Sequence, residues 1–372
     1  MLRTAALAAA LVILQACAPH PRLVQAGPAG QASPAGPACR AVDGSAHSAA
    51  VQWWTPLADE DRREQLAWCR TVGPAVVRTG EVHTSPIVDR LVVVSWNVHV
   101  GGGDLHALVR DLRAGRLTEG RPVTHFVLLL QEAFRDGPAL PPDVDGPFAG
   151  AIRPGTDGRL RQDIETDAER LGLYLFYVPS MRNGSPEDGM EDRGNALLST
   201  VPLQELRAIE LPFERQRRVA AAARVELRTA DGGTVPLHVV SVHLDNQPGL
   251  RRLFLLAPPA RTRQMRGLLD ALPREGAAVL GGDLNTWFGT AEGAWVLARR
   301  AFPDTPDGDG ATAGPFRLDH LFFRLPEGWT ADWHVVESAY GSDHRPVVGE
   351  IRGPEAQPRP ALTNARAKAG RT

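Results

Sequence analysis

Four short apolar runs recur between residues 91 and 280, and each ends abruptly in polar or small residues. The runs are rich in Val and Leu and have no polar face, which is typical of strands buried on both sides. Helical apolar spacing separates them, so the chain is predicted to be an α/β protein with functional residues at strand ends. The predicted strands are 91–96, 126–130, 239–242 and 278–280, and the predicted helices are 103–114, 161–171, 260–272 and 291–300.

The first 17 residues have the pattern of a secretory signal. Arg3 supplies a positive start, and the apolar stretch 5–14 is shorter than the roughly 20 residues needed to span a bilayer. It ends in Leu14-Gln15-Ala16-Cys17, which resembles the lipobox of bacterial lipoproteins. We therefore expect an extracytoplasmic protein anchored through a lipid on Cys17, in the periplasm, at the outer membrane or on the cell surface. An ordinary cleaved signal is the alternative.

Composition divides the rest of the chain into four parts. Residues 18–38 are rich in Pro, Ala and Gly and predict a flexible tether, and 39–88 a lead-in segment packed on the main domain. The main domain is predicted over 89–352, and 353–372 as a disordered tail. Cys39 and Cys69 both lie in the lead-in segment, where an oxidising compartment favours a disulfide; two separately buried thiols are the alternative.

Residue usage excludes several chemistries. Of the 41 basic residues, 40 are Arg, and the one lysine is Lys368, so neither a Walker phosphate loop nor a catalytic lysine in the main domain is present. The sequence also has no HExxH, GxSxG or CxxC motif. A formal net charge of -2 argues against a strongly basic nucleic-acid binder.

Seven short polar motifs, each after an apolar run, occur one after another along the chain. Together they resemble the endonuclease/exonuclease/phosphatase superfamily, over about residues 89–352. The resemblance implies a four-layer α/β sandwich, in which two mixed β-sheets pack face to face and helices flank them. The motifs are SWNVHVGG (95–102), LLLQEAF (128–134), RGNALLST (193–200), SVHLDN (241–246), GGDLNTWFG (281–289), RLDHLFF (317–323) and GSDHRPVV (341–348).

Three of these residues are candidates for a metal site. Glu132 follows a five-residue apolar run, and a lone carboxylate with other oxygens nearby suits Mg²⁺. The resemblance implies the same role for Glu132, with Asn97 in support and Asp343 close to the ion. Mn²⁺ is a second candidate for the metal.

The remaining candidates are catalytic. Asp283 and Asn285 stand two apart, so both side chains point to one side of an extended segment and can act on one phosphoryl group. By resemblance, Asp319 orients His344, His243 contacts the phosphate from the other side, and Asn97 supports the site. Either Asp283 or His344 is the base. Arg193 and the arginines of 215–218 are interpreted as solvated surface, with phosphate contact as the alternative.

We expect an enzyme, a monomer that hydrolyses phosphate esters by metal-assisted attack of water. A nuclease is one hypothesis. A phospholipid head-group phosphodiesterase or an inositol-phosphate phosphatase is another, for which Leu253-Phe254-Leu255-Leu256 could touch a bilayer. A non-catalytic binding protein on the same scaffold is a third, but its catalytic positions would not need the residue types found here.

The lipobox generates the first testable prediction. The membrane fraction should contain a protein whose N-terminal residue is an acylated Cys17, detectable by mass spectrometry. Cys17→Ser should release the protein from the membrane, because no other anchor is expected. A soluble wild-type protein with a free N-terminus elsewhere would refute the anchor.

Overall fold

The computed structural model describes residues 21–26, 38–44, 51–81, 90–142, 146–154, 161–228, 232–246 and 257–354. Cys17, most of the predicted tether, the 253–256 run and residues 355–372 lie outside these ranges. Within them, no helix is long and apolar enough to span a membrane.

Seven of the described strands form the first sheet, which is mixed. In spatial order the strands are β1 (Leu23–Gln25), β3 (Gln52–Pro56), β9 (Gln204–Glu210), β10 (Val219–Arg228), β11 (Thr234–His243), β12 (Ala277–Asp283) and β13 (Asp319–Arg324). β3 pairs in parallel with β9 and β11 with β12, whereas the other neighbours are antiparallel.

Eight described strands form the second sheet, which is also mixed. In spatial order the strands are β14 (Thr330–Val335), β15 (Val347–Arg352), β5 (Arg90–Asn97), β6 (Phe126–Asp136), β8 (Glu191–Ser199), β7 (Tyr174–Arg182), β4 (Ala75–Arg78) and β2 (Val42–Gly44). Here β5 pairs in parallel with β6 and β2 with β4.

Helices cover the outer faces of both sheets. The described α-helices are α1 (Asp59–Cys69), α2 (Leu105–Arg113), α3 (Ile164–Leu171), α4 (Ala257–Ala271) and α5 (Gly293–Ala301), with 3₁₀ turns at Ala38–Arg40, Pro186–Asp188 and Gly289–Ala291. α2 and α3 pack on the second sheet, and α4 and α5 pack on the first. The predicted four-layer α/β sandwich is therefore confirmed.

Alternation along the strands divides the core into three layers. On β5, Val93 joins the layer between the sheets, whereas Val92 and Val94 join the helix-facing layer. On β11, Val239 points between the sheets and Val240 points to α4 and α5. Successive side chains of a strand point to opposite faces, so odd-numbered residues of β5, β11 and β12 all face the space between the sheets.

The predicted elements differ from the observed ones mainly at their ends. α4 begins three residues earlier than predicted, because Pro258 and Pro259 are tolerated in a first helical turn, where the backbone N–H groups have no intrahelical partner. β11 begins at Thr234 rather than at 239, because its first residues alternate between exposed and buried and so lack a continuous apolar run.

The N-terminal part is more integrated than the sequence suggests. A flexible tether is the wrong description for residues 23–25, because Leu23 is buried in the helix-facing core and β1 pairs with β3. The lead-in segment also does more than pack on the main domain, since β3 joins the first sheet and β4 the second. A disulfide joins Cys39 to Cys69, with 5.4 Å between the Cα atoms.

Gly281 of β12 allows the two sheets to approach closely below the strand ends. A Cβ atom at this position would lie 2.6 Å from Leu129 Cδ1 and 3.1 Å from Ser95 Cβ, both in the opposite sheet. Both distances are shorter than ordinary van der Waals contact. A side chain at residue 281 would therefore displace Leu129 and crowd Ser95 of the opposite sheet.

We predict that Gly281→Ala lowers the free energy of unfolding by about 1–3 kcal/mol, as overpacking of a core does. Denaturant unfolding measures this change. Gly150→Ala is the matched control, because a Cβ at Gly150 meets no atom within 4 Å. Equal stability of the Gly281 and Gly150 variants would show that the sheets accommodate the methyl group without strain.

Candidate active site

Four predicted site residues meet at one end of the sandwich. In the first sheet, His243 lies beside Asp283, and Asp283 lies beside Asp319, in the register of three neighbouring strands. Asn97 ends β5 of the second sheet. All four numbers are odd, so their side chains point into the space between the sheets.

Asn97 links the sheets through a hydrogen bond. Its Nδ2 donates to Asp283 Oδ2 over 3.1 Å, and its Oδ1 accepts a bond of 3.0 Å from the backbone N–H of His99. The second oxygen of Asp283 accepts a bond of 2.9 Å from the backbone N–H of Asn285. Both oxygens of Asp283 are thus held in place.

His243 and Asn285 form the second contact pair. Asn285 Nδ2 lies 3.1 Å from His243 Nε2 and donates to the carbonyl of Leu244 over 3.0 Å. Burial holds the pKa of His243 well below its usual range, and the positive charge of Arg218 adds to this effect. His243 is therefore neutral, and an unprotonated Nε2 can accept from Asn285.

His344 lies between two carboxylates. Its Nδ1 is 2.7 Å from Asp319 Oδ2, and its Nε2 is 3.9 Å from Asp283 Oδ2. Burial opposes the charge on the ring, but the two carboxylates outweigh it and raise the pKa of His344 to about 10. Burial and the Asp319 carboxylate raise the pKa of Asp283 to about 7, against the opposing charge of His344.

Glu132 projects from an irregularity in β6. The register between β6 and β8 shifts between Leu130 and Ala133, and Glu132 has a φ of 52°. Its Oε1 lies 4.0 Å from His243 Nδ1, and within the described ranges no residue donates a hydrogen bond to its carboxylate. The bulge thus turns a partly exposed, unbonded carboxylate toward the other site residues.

Asp343 lies at the outer rim of the same group. Its side chain is 58% exposed, and its Oδ1 is 3.4 Å from His99 Nδ1. The preceding residue, Ser342, donates from its hydroxyl to the backbone carbonyl of Asn97 over 2.7 Å. The structure therefore brings all of the predicted catalytic and metal residues to one end of the sandwich.

The family model described as "Endonuclease/Exonuclease/phosphatase family" matches residues 94–344, which is more than half of the chain. This chain belongs to that family. Its members are hydrolases that act on phosphate ester bonds, and they typically use a divalent metal. The comparison with curated proteins finds no match.

Solved structures that resemble this chain have low sequence identity. An endonuclease/exonuclease/phosphatase from Beutenbergia cavernae DSM 12333 is 20% identical, with a TM-score of 0.48 and 72% of each chain covered. An AP endonuclease from Archaeoglobus fulgidus is 16% identical, with a TM-score of 0.42, covering 70% of this chain and 98% of its own. A variant of beta toxin from Staphylococcus aureus with bound magnesium ions is 15% identical, with a TM-score of 0.36, covering 70% of this chain and 99% of its own.

The interpretation of the arginines as solvated surface is wrong for three of them. Arg217 is fully buried, and it donates to the carbonyl of Pro179 over 2.6 Å and to Glu210 Oε1 over 3.0 Å. Arg193 and Arg218 are also buried. The charge of Arg193 acts on Glu132, and the charges of Arg193 and Arg218 act on His243. Two buried cations thus lie beside the site, which was not predicted from the sequence.

Backbone strain is concentrated around the site. Within the described ranges, seven residues other than glycine have a positive φ, and five of them lie in strand-end segments of the site. A β-branched residue such as Val100 adopts this conformation at a cost, which the surrounding structure must balance. The five are His99, Val100, Glu132, Asn285 and Tyr340.

Two contacts near the site were not predicted from the sequence. His99 faces Asp343, and its position in the SWNVHVGG motif could have indicated that it belongs to the site. Thr286 Oγ1 lies 3.0 Å from His320 Nε2. Burial lowers the pKa of His320 to about 3, so this ring, on the helix-facing side of β13, is neutral.

Asp319 and His344 should act as one unit in this phosphoesterase. We predict that Asp319→Asn and His344→Ala each lower kcat by about 10²–10⁴-fold, and that the double variant is little worse than His344→Ala alone. Hydrolysis of a chromogenic phosphate bis-ester measures the cycle. The pKa of His344, read from its ring NMR shifts, should fall in Asp319→Asn.

Asp332→Asn is the control, because this surface carboxylate pairs with Arg352 far from the site. Its rate should match the wild-type rate. Fully additive losses in the cycle, with an unchanged His344 pKa, would mean that Asp319 does not orient the imidazole.

Proposed function

We propose that this chain is a metal-dependent phosphodiesterase that uses water to cleave a phosphate ester. One observation carries the proposal. The Asp283 carboxylate is fixed by Asn97 from the opposite sheet, and the imidazoles of His243 and His344 lie within 4 Å of it. A carboxylate, two imidazoles and two amides around one point can bind a phosphoryl group and move a proton.

The donor set fits a hard divalent cation. Glu132 has a carboxylate that receives no hydrogen bond from the described residues, and Asn97 and Asp343 carry further oxygen atoms at the same end of the sandwich. Mg²⁺ prefers oxygen ligands and keeps several waters, so few protein ligands suffice. Glu132, Asn97 and Asp343 would hold the ion. When bound, it would polarise the phosphoryl group and stabilise the leaving oxygen.

The protein's own residues supply the remaining steps. Asn285 and His243 would contact a phosphoryl oxygen from the first sheet. Asp283 would accept the proton of the attacking water, because the raised pKa of His344 leaves that ring protonated, and Asp319 would keep the His344 ring in place through its 2.7 Å bond. The buried charges of Arg193 and Arg218 favour an anionic substrate on this side of the site.

A phospholipid head-group phosphodiesterase is the second candidate, and the aromatic rim favours it. Phe288 and Phe316 are 40% and 41% exposed, and Trp287 meets Phe316 edge-on with ring centroids 4.9 Å apart. These rings follow Asn285 and precede Asp319 in the chain. Exposed aromatic side chains suit the interface of a bilayer, where an enzyme tethered through Cys17 as a monomer would work.

Glu132→Gln tests the metal-dependent reaction. The variant removes the charge and keeps the shape, so it should lower the Mg²⁺-dependent rate by about 100-fold or more and weaken Mg²⁺ binding measured by calorimetry. Glu119→Gln is the matched control, because Glu119 has a similar φ of 54° and a side chain that is 87% exposed. Activity that survives EDTA treatment would refute metal dependence.

The substrate class needs a separate assay. Plasmid DNA, RNA, sphingomyelin and phosphoinositides should be compared with a chromogenic bis-ester, each with and without Mg²⁺. Cleavage of nucleic acid alone would support a nuclease, and cleavage of a phospholipid would support the second candidate. No cleavage of any diester by the metal-loaded protein would refute both.

A further inference from the structure

A separate cavity lies on the helix-facing side of the first sheet. It has a volume of about 470 Å³ and sits between the C-terminal ends of α4 and α5, above β11 and β12. This volume is in the range of small-molecule sites, roughly 300–1,000 Å³. The interior is apolar and is formed by Val240, Leu269, Leu272, Ala278, Leu297 and Phe302.

The rim of this cavity is positively charged. It contains four arginines, Arg266, Arg274, Arg300 and Arg324, and one acid, Asp270, which gives a net charge of about three positive units. Burial and the charge of Arg207 lower the pKa of His238, the remaining titratable lining residue, so it adds no charge. The field at the rim therefore attracts anions.

Arg300 and Arg324 form no close ion pair with any described residue, although the Asp304 carboxylate acts on Arg324 from a longer distance. Within the described ranges, neither Arg300 nor Arg324 has an acidic group within 4.0 Å. Arg324 is fixed in the wall, because it donates to the carbonyls of Gly276 and Pro273 over 2.6 and 2.7 Å and lies over the Phe302 ring. Longer bonds of 3.4 and 3.3 Å to the carbonyls of Ala301 and Glu275 leave it mainly its charge to offer a ligand. Arg300 is exposed on α5 beside it. A guanidinium held this way loses little freedom when it binds an anion.

We propose that this cavity binds the carboxylate of a long-chain fatty acid. The chain would fill the apolar interior, and the carboxylate would face Arg300 and Arg324, since guanidinium and carboxylate groups match in geometry and charge. The protein's own C-terminal segment suits the site poorly, because residues 355–372 carry four basic residues and one acid.

The cavity is distinct from the proposed phosphoesterase site. His238 lines the cavity and His243 the catalytic site, and they lie five positions apart on β11, a rise of about 17 Å. Because their numbers differ in parity, the two side chains also point to opposite faces of the sheet. A ligand in the cavity would thus leave the catalytic residues free, and the inference does not depend on the proposed function.

The test is calorimetric titration of the full-length protein with dodecanoate, kept below its micellar concentration. Cys17→Ser is included so that no acyl chain at residue 17 competes. We expect saturable binding of one dodecanoate per chain. Arg300→Gln should raise the Kd by roughly 5–10-fold, because a charge-assisted bond is lost. Arg299→Gln should change it less than about two-fold, since the neighbouring Arg299 faces Asp307 and Pro303 instead.

A second variant, Ala301→Phe, tests the cavity itself, because the larger side chain would occupy the interior. It should abolish binding while the thermal unfolding temperature and phosphoesterase rate stay near wild type. Dodecanol and dodecyltrimethylammonium serve as neutral and cationic probes. Equal affinity for dodecanol and dodecanoate, binding that survives Ala301→Phe, or no dodecanoate binding to the folded wild-type protein would each overturn the proposal.

Discussion

The catalytic arrangement depends on how closely the two sheets approach at one end. Gly281 has no side chain, and the space that its Cβ would need is taken by Leu129 and Ser95 of the other sheet. Two residues further along each strand, Asn97 and Asp283 are therefore within hydrogen-bond distance. Packed sheets usually stand about 10 Å apart, so two side chains as short as these meet across that space only when they point directly at each other.

Charged groups lie close together at this end of the sandwich, and the groups around each of them determine whether it is protonated. Asp283 and Asp319 lie side by side in the register, which disfavours two bare carboxylates. His344 relieves the repulsion because it lies between them as a cation. His243 instead remains neutral, because burial, aided by the charges of Arg218 and His344, lowers its pKa. Two imidazoles a few ångströms apart thus have opposite states, and groups separated in this way can take different roles in one reaction.

The positions of side chains that depend on strand geometry could be predicted from the sequence. Polar residues after apolar runs located Asn97, His243 and Asp283 at one end of the sandwich, because strand ends and side-chain alternation are local properties. Asp319, the first residue of β13, was assigned only by the family resemblance. The burial of the arginines was not predictable from the sequence. Arg217 can be buried because it bonds to Glu210 and to the carbonyl of Pro179, and only the folded sheets bring these partners to it. The β1 strand was missed because its stability comes from pairing with β3 rather than from its own three residues.

β11 shows how one strand can serve two sites. Its inward residues contribute to the inter-sheet core and end in His243, whereas its outward residues, among them His238 and Val240, form the floor of the arginine-rimmed cavity. The period of two keeps these sets apart, and a shift of register by one residue would exchange them. Pairing with β10 over nine residues and with β12 over seven fixes that register. The same ladder that aligns His243 with Asp283 therefore also holds the cavity on the opposite face.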